Sequence, residues 1–324
     1  MVFRDETLVT VADVPTRPVA HLTPADRTFR LIATIAASLS LFLVGTTLIF
    51  LVNQSRPAFQ HSGYIHFFTQ SVWNPAVGHF GVRGLLEGTI AIAVIAMLLS
   101  VPLGVGMALF INEYAPTRLR GPLTSLVDLL AALPSLIFGM WALYVLQDHL
   151  VPVSHFLAQH LSALPFLKVD DGKQLVGSSF IAGVVVALMC IPIVTSVSRD
   201  VMAQCPRDQC EGALALGGTR WGMIREVILP FSRSGIVGAS MLALGRALGE
   251  TIAVALVIGA SATTFNPHVL EGGASSIAAL IATHFGEATK LEQSGLIAAG
   301  LALFLLTFVV NFFARLIVKR SATA

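Results

Sequence analysis

The chain has 324 residues, of which 55% are hydrophobic and only 12% charged, and its formal net charge at neutral pH is +2. Such an apolar composition excludes an ordinary soluble globular domain. The charge is weak and no basic run of five or more residues occurs, so nothing in it indicates a nucleic-acid partner. The lipid bilayer is therefore the expected surroundings of most of the chain.

The apolar residues fall into long blocks with no alternating polar face. A helix that crosses a hydrocarbon core about 30 Å thick needs roughly 20 apolar residues. Backbone groups in lipid must be paired within the segment, and no barrel pattern is present, which favours helices over strands. We predict an all-α membrane protein with six transmembrane helices, at residues 31–52, 84–111, 123–146, 175–197, 235–260 and 294–318.

The predicted helices divide the chain into four parts. Residues 1–30 lack apolar periodicity and are expected to form a cytoplasmic tail. Residues 31–83 hold the first transmembrane helix and an outer loop, and this helix is too long to be a cleavable signal sequence. Residues 84–318 form a core of five helices with a loop at 200–233, and residues 319–324 form a second tail.

Basic residues are distributed unequally between the two sides of the predicted membrane protein. Numbering the loops alternately places fourteen Lys and Arg residues on the side of the termini and five on the other. Loops rich in Lys and Arg stay in the cytoplasm. We therefore predict a multi-pass protein of the cell membrane with both termini cytoplasmic.

Cysteine and histidine give no sign of a metal site or a cofactor. Cys205 and Cys210 lie in a predicted cytoplasmic loop with a spacing that fits no common zinc motif, and Cys190 lies in a helix. His149, His155 and His160 follow spacings of six and five, which do not share a helix face. We expect no bound metal and no cofactor.

The loop at residues 200–233 has a readable internal pattern. Pro206 suits the first turn of a helix, and Gly217 with Gly218 would end it. Thr219 can cap a second short helix, which Pro230 is expected to close. Apolar side chains of this helix pair are expected to contact a partner protein; they are Ala213, Leu214, Leu216, Trp221 and Ile224.

The stretch EGALALGGTRWGMIREVILP resembles the EAA motif of ABC importer permeases. The matching positions are Glu211, Gly212, Ala213, Gly217, Val227, Leu229 and Pro230. The resemblance implies a type I ABC importer permease whose first loop helix couples to a separate ATP-binding subunit. Gly212 stands where the motif usually has Ala, which lowers helix propensity by up to about 1 kcal/mol. No Walker A loop occurs in the chain, so we do not expect it to be an enzyme.

Two ionisable residues, Arg246 and Glu250, lie within the fifth predicted helix. A spacing of four places them on one helix face. Either charge costs roughly 2.5–3.5 kcal/mol at the bilayer centre, whereas such a pair returns only about 0.5 kcal/mol. We interpret them as part of an anion pathway, with a purely structural bridge to a neighbouring helix as the alternative.

Gly245 and Gly249 lie beside these charges and form a small-x3-small pair. Such pairs allow close approach of another helix, here one of a second permease subunit. Packing without functional meaning is the alternative, because similar pairs are common in apolar helices.

The stretches GRALGETIAVALVIG, FINEYAP and DLLAALPSLIFGMWAL resemble phosphate-uptake ABC permeases of the PstC and PstA type, and the last two resemble the PstC branch. This resemblance implies phosphate as the substrate, with molybdate or sulfate as alternatives. It also implies a PstB-type ATP-binding subunit, a PstA-type sister permease and a PstS-type binding protein. Asp128 stands where the branch often has Glu, and we expect it to be an interfacial or capping charge.

Two other classes of membrane protein fit this sequence less well than an ABC permease does. A channel or secondary transporter could use Arg246 and Glu250 as a relay, but it would leave the loop at 200–233 without a role. An intramembrane enzyme would need a nucleophile with its base, facing aspartates or a metal motif inside the spans, and the sequence has none of these there.

Overall fold

The computed structural model describes residues 23–161, 163–170, 172–259 and 266–321. In chain order the α-helices are α1 (Pro24–Ser62), α2 (Tyr64–Thr69), α3 (Arg83–Leu109), α4 (Thr117–Ala132), α5 (Ser135–Trp141), α6 (Gln147–His160), α7 (Ser179–Met202), α8 (Arg207–Ala215), α9 (Arg220–Met223), α10 (Leu229–Gly249), α11 (Ile252–Ile258), α12 (Ile277–His284) and α13 (Lys290–Ser321).

Shorter elements join or extend these helices. A two-residue antiparallel pair, β1 (Trp73–Asn74) with β2 (His79–Phe80), encloses a 3-10 turn at Pro75–Val77. A second 3-10 turn lies at Pro165–Leu167. Single π-helical turns continue α3, α5 and α9; they lie at Phe110–Tyr114, Ala142–Leu146 and Ile224–Ile228.

The chain divides into two compact units, Met1–Phe50 and Leu51–Ala324. The described part of the first unit is helical from Pro24 onward, inside the segment that we expected to be a tail. The rest of that expected tail, residues 1–22, lies outside the described residues. The second unit contains all the candidate functional residues.

The described residues contain six helices long and apolar enough to cross a membrane, which confirms the predicted number. They are Pro24–Ser62, Arg83–Tyr114, Ser135–His160, Ser179–Met202, Arg220–Gly249 and Lys290–Ala314. The bounds differ from the predicted ones mostly because helices run beyond their apolar stretches into the polar segments on either side.

The third predicted helix, 123–146, is wrong as a single element. The helix stops at Ala132, Leu133 and Pro134 are extended, and α5 starts at Ser135. Proline disfavours helical conformation in the residue before it, which explains the break at Leu133. Pro102 and Pro192 lie inside unbroken helices, so only Pro134 of these three interrupts its helix.

The core of the second unit is built around α7, whose side chains pack against α3, α10 and α11. Glycines bring α3 and α7 together: a Cβ added to Gly104 would lie 2.7 Å from Val194 Cβ, and one added to Gly183 would lie 2.6 Å from Ile95 Cγ2. Such close contact leaves no room for larger residues. α7 therefore has a fixed position, and the helices of the fifth span, α10 and α11, pack against it.

Two loops that we expect on the outer side, called the outer loops, are joined by backbone hydrogen bonds; their described residues are 163–170 with 172–178, and 266–276. The Gly272 N–H donates to the Gln174 carbonyl at 2.6 Å, and the Phe180 N–H donates to the Val269 carbonyl at 2.9 Å. The Ser275 hydroxyl extends the connection to α3 by donating to the Gly84 carbonyl at 2.8 Å. The outer ends of α3, α7 and α11 are thus linked through these loops.

Candidate functional site

The fifth predicted span, 235–260, is broken beside its charged residues. α10 ends at Gly249, Glu250 is extended with φ −67° and ψ 124°, and α11 begins only at Ile252. The Thr251 hydroxyl donates to the Gly249 carbonyl at 3.0 Å, which satisfies one of the carbonyls freed at the break. The prediction that Arg246 and Glu250 lie on one face of a continuous helix is therefore wrong.

The break places the two charges at helix ends of opposite polarity. Arg246 lies in the last turn of α10, where the helix dipole favours a cation. The Glu250 carboxylate lies at the start of α11 and its Oε1 accepts a hydrogen bond from the Ala253 N–H at 3.4 Å. An anion is favoured at that end. Each charge thus has its own source of stabilisation within the apolar span.

Arg246 and Glu250 do not form an ion pair with each other or with another charged residue in the described part of the chain. Glu250 is buried, with 8% of its surface exposed. Nε of the half-buried Arg246 is also buried, and no atom of the described residues accepts its hydrogen. A buried donor without a partner favours an acceptor from outside the chain, and a guanidinium suits an oxyanion.

Gly245 and Gly249 lie next to these charges with open space before them. A Cβ added to either residue would meet no atom within 4 Å in the described structure. The surface beside Arg246 is thus left uncovered by the described helices of this chain.

The first part of the loop at 200–233 folds as its sequence predicts. α8 has Pro206 before its first residue and ends at Ala215, two residues before Gly217, which has φ +85°. Gly217 and Gly218 donate to the carbonyls of Leu214 and Ala213 at 3.0 and 3.1 Å, the bonds of a Schellman motif. The Thr219 hydroxyl then accepts from the Gly222 N–H at 3.1 Å and caps α9.

We expected Pro230 to close the second short helix, and this expectation is wrong. α9 continues through the π-helical turn Ile224–Ile228 into α10, and Pro230 occupies the first turn of α10. Its missing N–H removes no essential bond at that position. The loop thus consists of one separate helix, α8, followed by the N-terminal extension of the fifth span.

The residues of the EAA-like motif are partly exposed and partly packed around the corner between α8 and α9. Glu211, Gly212, Gly217 and Pro230 are exposed, whereas Ala213, Val227 and Leu229 pack against a small core formed by Met202, Cys205, Met223, Ile224 and others. Ile224 is fully buried, so it does not belong to the contact surface that we predicted. The exposed apolar side chains are Leu214, Leu216 and Trp221, with Leu216 92% exposed.

The cysteines lie where a structural role explains them. Cys190 is buried in α7 and donates a hydrogen bond to the Ala243 carbonyl at 3.5 Å. Cys205 lies just before α8 and Cys210 lies within it, and their sulfur atoms are 3.8 Å apart. Burial raises the pKa of the Cys205 thiol to about 11 and the hydrogen bond with Cys210 acts in the same direction, so the thiol stays protonated near neutral pH.

Contacts at the inner end of α7 were not predicted from the sequence. Asn112, within the stretch FINEYAP, donates to the Arg199 carbonyl at 2.9 Å. Asp128 accepts from the Ser196 hydroxyl at 3.3 Å and lies 4.0 Å from the Arg199 guanidinium. Asp128 therefore connects α4 to α7. The sequence did not mark Arg199 as a contact residue, because its contacts depend on helices that are distant in the chain.

A second polar cluster, also missed, lies between the outer loops. Glu271 is 2% exposed and accepts hydrogen bonds from the Asn266 amide and the Asp170 N–H, both at 2.7 Å. His268 Nδ1 lies 3.1 Å from Glu271 Oε1. Burial acts to raise the pKa of Glu271, but these hydrogen bonds and the nearby imidazole hold it below its usual value. The carboxylate is therefore ionised at neutral pH.

Comparison with known proteins gives close relatives. A family model described as "Binding-protein-dependent transport system inner membrane component" matches residues 100–323. The phosphate transport system permease protein PstC 2 of Mycobacterium tuberculosis is 42% identical over 300 residues, which are 90% of this chain and 91% of that protein. PstC of Xylella fastidiosa is 40% identical over 301 residues, with 91% of each chain covered.

Solved structures share the fold at much lower identity. A chain in the crystal structure of a bacterial alginate ABC transporter, in complex with an alginate-bound periplasmic protein, is 19% identical with a TM-score of 0.60, covering 91% of this chain and 95% of that one. A chain of the inward-facing MetNI methionine ABC transporter is 17% identical with a TM-score of 0.51, covering 74% and 95%.

Proposed function

We propose that this chain, which belongs to the family of binding-protein-dependent transport system inner membrane components, carries inorganic phosphate across the membrane as one permease subunit of an ATP-driven importer. Within that family it belongs to the PstC branch. It is a multi-pass inner-membrane protein with the type I ABC importer permease fold. Importers of this family combine such a permease with an ATPase and a binding protein.

The observation that carries the substrate proposal is the break between α10 and α11 with its two unpaired charges. Interrupted transmembrane helices with ionisable residues are typical of transport sites, because the break exposes polar backbone to a passing solute. In our proposal the Arg246 guanidinium donates to phosphate oxygens and supplies the charge that an anion needs in an apolar constriction.

Glu250 adds discrimination between oxyanions in this proposal. Phosphate keeps at least one hydroxyl near neutral pH, and that hydroxyl can donate a hydrogen bond to a carboxylate. Sulfate is fully ionised and has no proton to donate, so it would meet an unpaired repelling charge. Phosphate passage is thus favoured over sulfate at the same site. Molybdate, the other alternative, has no donor either when fully ionised.

Coupling to ATP hydrolysis is assigned to the corner between α8 and α9. The exposed side chains Leu214, Leu216 and Trp221 form an apolar surface on an otherwise polar loop, which suits a groove on a partner subunit. We propose that a PstB-type ATPase binds here and that hydrolysis takes place in that subunit. Glu211, Gly217 and the other motif residues would then fix the shape of the contact.

The remaining subunits follow from the same proposal. The open surface at Gly245 and Gly249 would receive a helix of a PstA-type sister permease, which would complete the pathway beside Arg246. A PstS-type binding protein would deliver phosphate to the outer loops. The excess of basic residues on one side supports cytoplasmic termini.

Phosphate uptake by cells that depend on this importer tests the proposal. Arg246→Lys keeps the charge but loses the forked donor and should lower uptake by at least tenfold, a loss of about 1.4 kcal/mol. Glu250→Gln should lower uptake or admit sulfate as a competitor. The amount of assembled complex in the membrane is measured in parallel. Ser240→Ala, on α10 before the charges, serves as a control with normal uptake.

Normal phosphate uptake with full exclusion of sulfate in both variants would show that the charges only stabilise the break. Uptake of sulfate or molybdate by the wild-type importer, at a rate matching phosphate, would instead contradict the proposed substrate.

A further inference from the structure

Three side chains with metal-binding atoms meet where the two outer loops are joined. Asp170 belongs to the loop that precedes α7, and His268 and Glu271 belong to the loop that follows α11. One ligand atom from each residue lies within 4.8 Å of the other two. The loops are held together here by backbone hydrogen bonds, and the Asp170 N–H also donates to the Glu271 side chain at Oε1.

The distances within the group suit a small coordination sphere. His268 Nδ1 lies 3.1 Å from Glu271 Oε1 and 3.8 Å from Asp170 Oδ2. A tetrahedral zinc ion with bonds of about 2.0–2.2 Å holds neighbouring ligand atoms about 3.4 Å apart. The observed spacings lie on either side of this value. The ligand atoms of Asp170 and Glu271 lie within 4.8 Å of each other, so the exposed Asp170 side chain would turn inward to complete the coordination.

The surroundings of Glu271 resemble the outer support of a metal ligand. Asn266 Nδ2 donates to Glu271 Oε2 at 2.7 Å, while Asn266 Oδ1 accepts a hydrogen bond from the His268 N–H at 2.9 Å. One residue thus fixes both the orientation of the carboxylate and the backbone position of the histidine. Metal sites commonly contain such supporting hydrogen bonds, which hold the ligands in place before the ion arrives.

The charge balance at the group favours a cation. Two carboxylates face one imidazole, and no lysine or arginine in the described chain forms an ion pair with Asp170 or Glu271. The Asp170 side chain is 64% exposed, which leaves a path for an ion and room for water as a further ligand. His268 Nδ1 lies within hydrogen-bond distance of Glu271 Oε1, and a metal ion would take the place of the proton between them, with the imidazole then protonated on Nε2.

We propose that Asp170, His268 and Glu271 bind one divalent ion of the zinc class between the outer loops. A set of one nitrogen and two oxygen atoms suits zinc, whereas calcium takes six to eight oxygen ligands. This site departs from our sequence-based expectation of no metal, because its residues are distant in the chain. The ion would cross-link the two loops on the face opposite the ATPase contact, independently of the phosphate proposal.

Direct metal binding to the purified full-length chain tests this inference. The chain is stripped of metal with a chelator and titrated with Zn²⁺ against a chromogenic indicator, and Co²⁺ is added separately for its absorbance. We expect one Zn²⁺ per chain and the intense visible bands of tetrahedral Co²⁺. Hydrogen exchange in residues 163–178 and 266–276 should slow when Zn²⁺ is added.

Variants distinguish this site from other histidines on the chain. Asp170→Asn and His268→Gln should each weaken Zn²⁺ binding at least tenfold, and Asn266→Ala should weaken it by about 10- to 100-fold through loss of support. His155→Gln and His160→Gln change exposed histidines of α6 outside the cluster and should leave binding unchanged. Asp170→Asn is the most informative variant, since its side chain is largely exposed and the fold should tolerate it.

Failure of the wild-type chain to bind Zn²⁺ at all would overturn the inference. Equal affinity in wild type and variants would do so as well. The cluster would then be a hydrogen-bond network that only fastens the loops. Neither result would bear on phosphate transport, which uses other residues and a different measurement.

Discussion

The α8–α9 corner and the α10–α11 break both interrupt a helix, but they are stabilised in different ways. At the corner, Gly217, Gly218 and Thr219 form hydrogen bonds with residues no more than five positions away, and a Cβ added to Gly217 would meet no atom within 4 Å. At the break, α11 is packed against α5, where a Cβ on Gly139 would lie 2.9 Å from Ala253 Cα. The corner is a local structure, and the break is a tertiary one.

In the proposed importer this difference would matter because the two places are assigned different tasks. A corner built from its own hydrogen bonds keeps its shape while it moves as one body with a partner subunit. A break held by packing between distant helices can respond when those helices shift, as alternating access requires. Replacing Gly139 is therefore expected to lower the stability of the fold, whereas replacing Gly217 is expected to impair coupling to ATP hydrolysis.

The largest effect is expected for Gly139→Ala, which tests the tertiary side of the comparison. The new Cβ would press on Ala253 and Leu256, and overpacking of this kind costs about 1–3 kcal/mol. Thermal unfolding of the purified chain should show a lower midpoint. Gly106→Ala, in α3 with no atom within 4 Å of the added Cβ, should keep the wild-type midpoint or raise it. Equal midpoints in both variants would contradict tight packing at the break.

Gly217→Val should have the next largest effect, on coupling instead of folding. A residue with a Cβ at φ +85° is strained by about 1–2 kcal/mol, and a branched side chain fits least well. The end of α8 should unravel and displace Leu216. Phosphate-stimulated ATP hydrolysis by the reconstituted importer should fall several-fold while the chain accumulates normally in the membrane. Normal stimulated hydrolysis would rule out a docking role for this corner.

Thr219→Ala removes the cap of α9 and should cost about 1 kcal/mol in local stability. Hydrogen exchange at residues 219–223 should become faster, and Thr219→Ser should restore the wild-type rate because serine caps equally well. No change at these amides in the alanine variant would mean that packing, and not the cap, holds the corner.

Gly212→Ala should have the smallest effect and the opposite sign. The position lies in α8, has open space before it and gains up to about 1 kcal/mol of helix propensity. Hydrogen exchange in α8 should slow while phosphate uptake stays normal. This variant is also the matched control for Gly217→Val, since both add a side chain to an exposed glycine of the same loop. Lost uptake would show that the partner needs the bare backbone here.

Much of the fold could be predicted from residue order because its causes are local. Blocks of about 20 apolar residues specify spans in lipid, and turn residues such as Pro206 and Gly217 specify where a helix starts or stops. The same reasoning failed at Pro230, which lies in the first turn of a helix instead of after one. A proline is compatible with either position, and only the packing of Ile224 and Ile228 into the inner core decides between them.

For this protein, the sequence by itself determined six apolar helices, the unequal charge of the two sides, the corner between α8 and α9 and the presence of two charges in the fifth span. Tertiary structure decided that this span breaks at Glu250, that Arg246 Nε has no hydrogen-bond partner among the described residues, and that Asp170 meets His268 and Glu271. The physical reason is the range of the interactions. Caps and turns join neighbours in the chain, whereas these three features depend on helices and loops brought together only by folding.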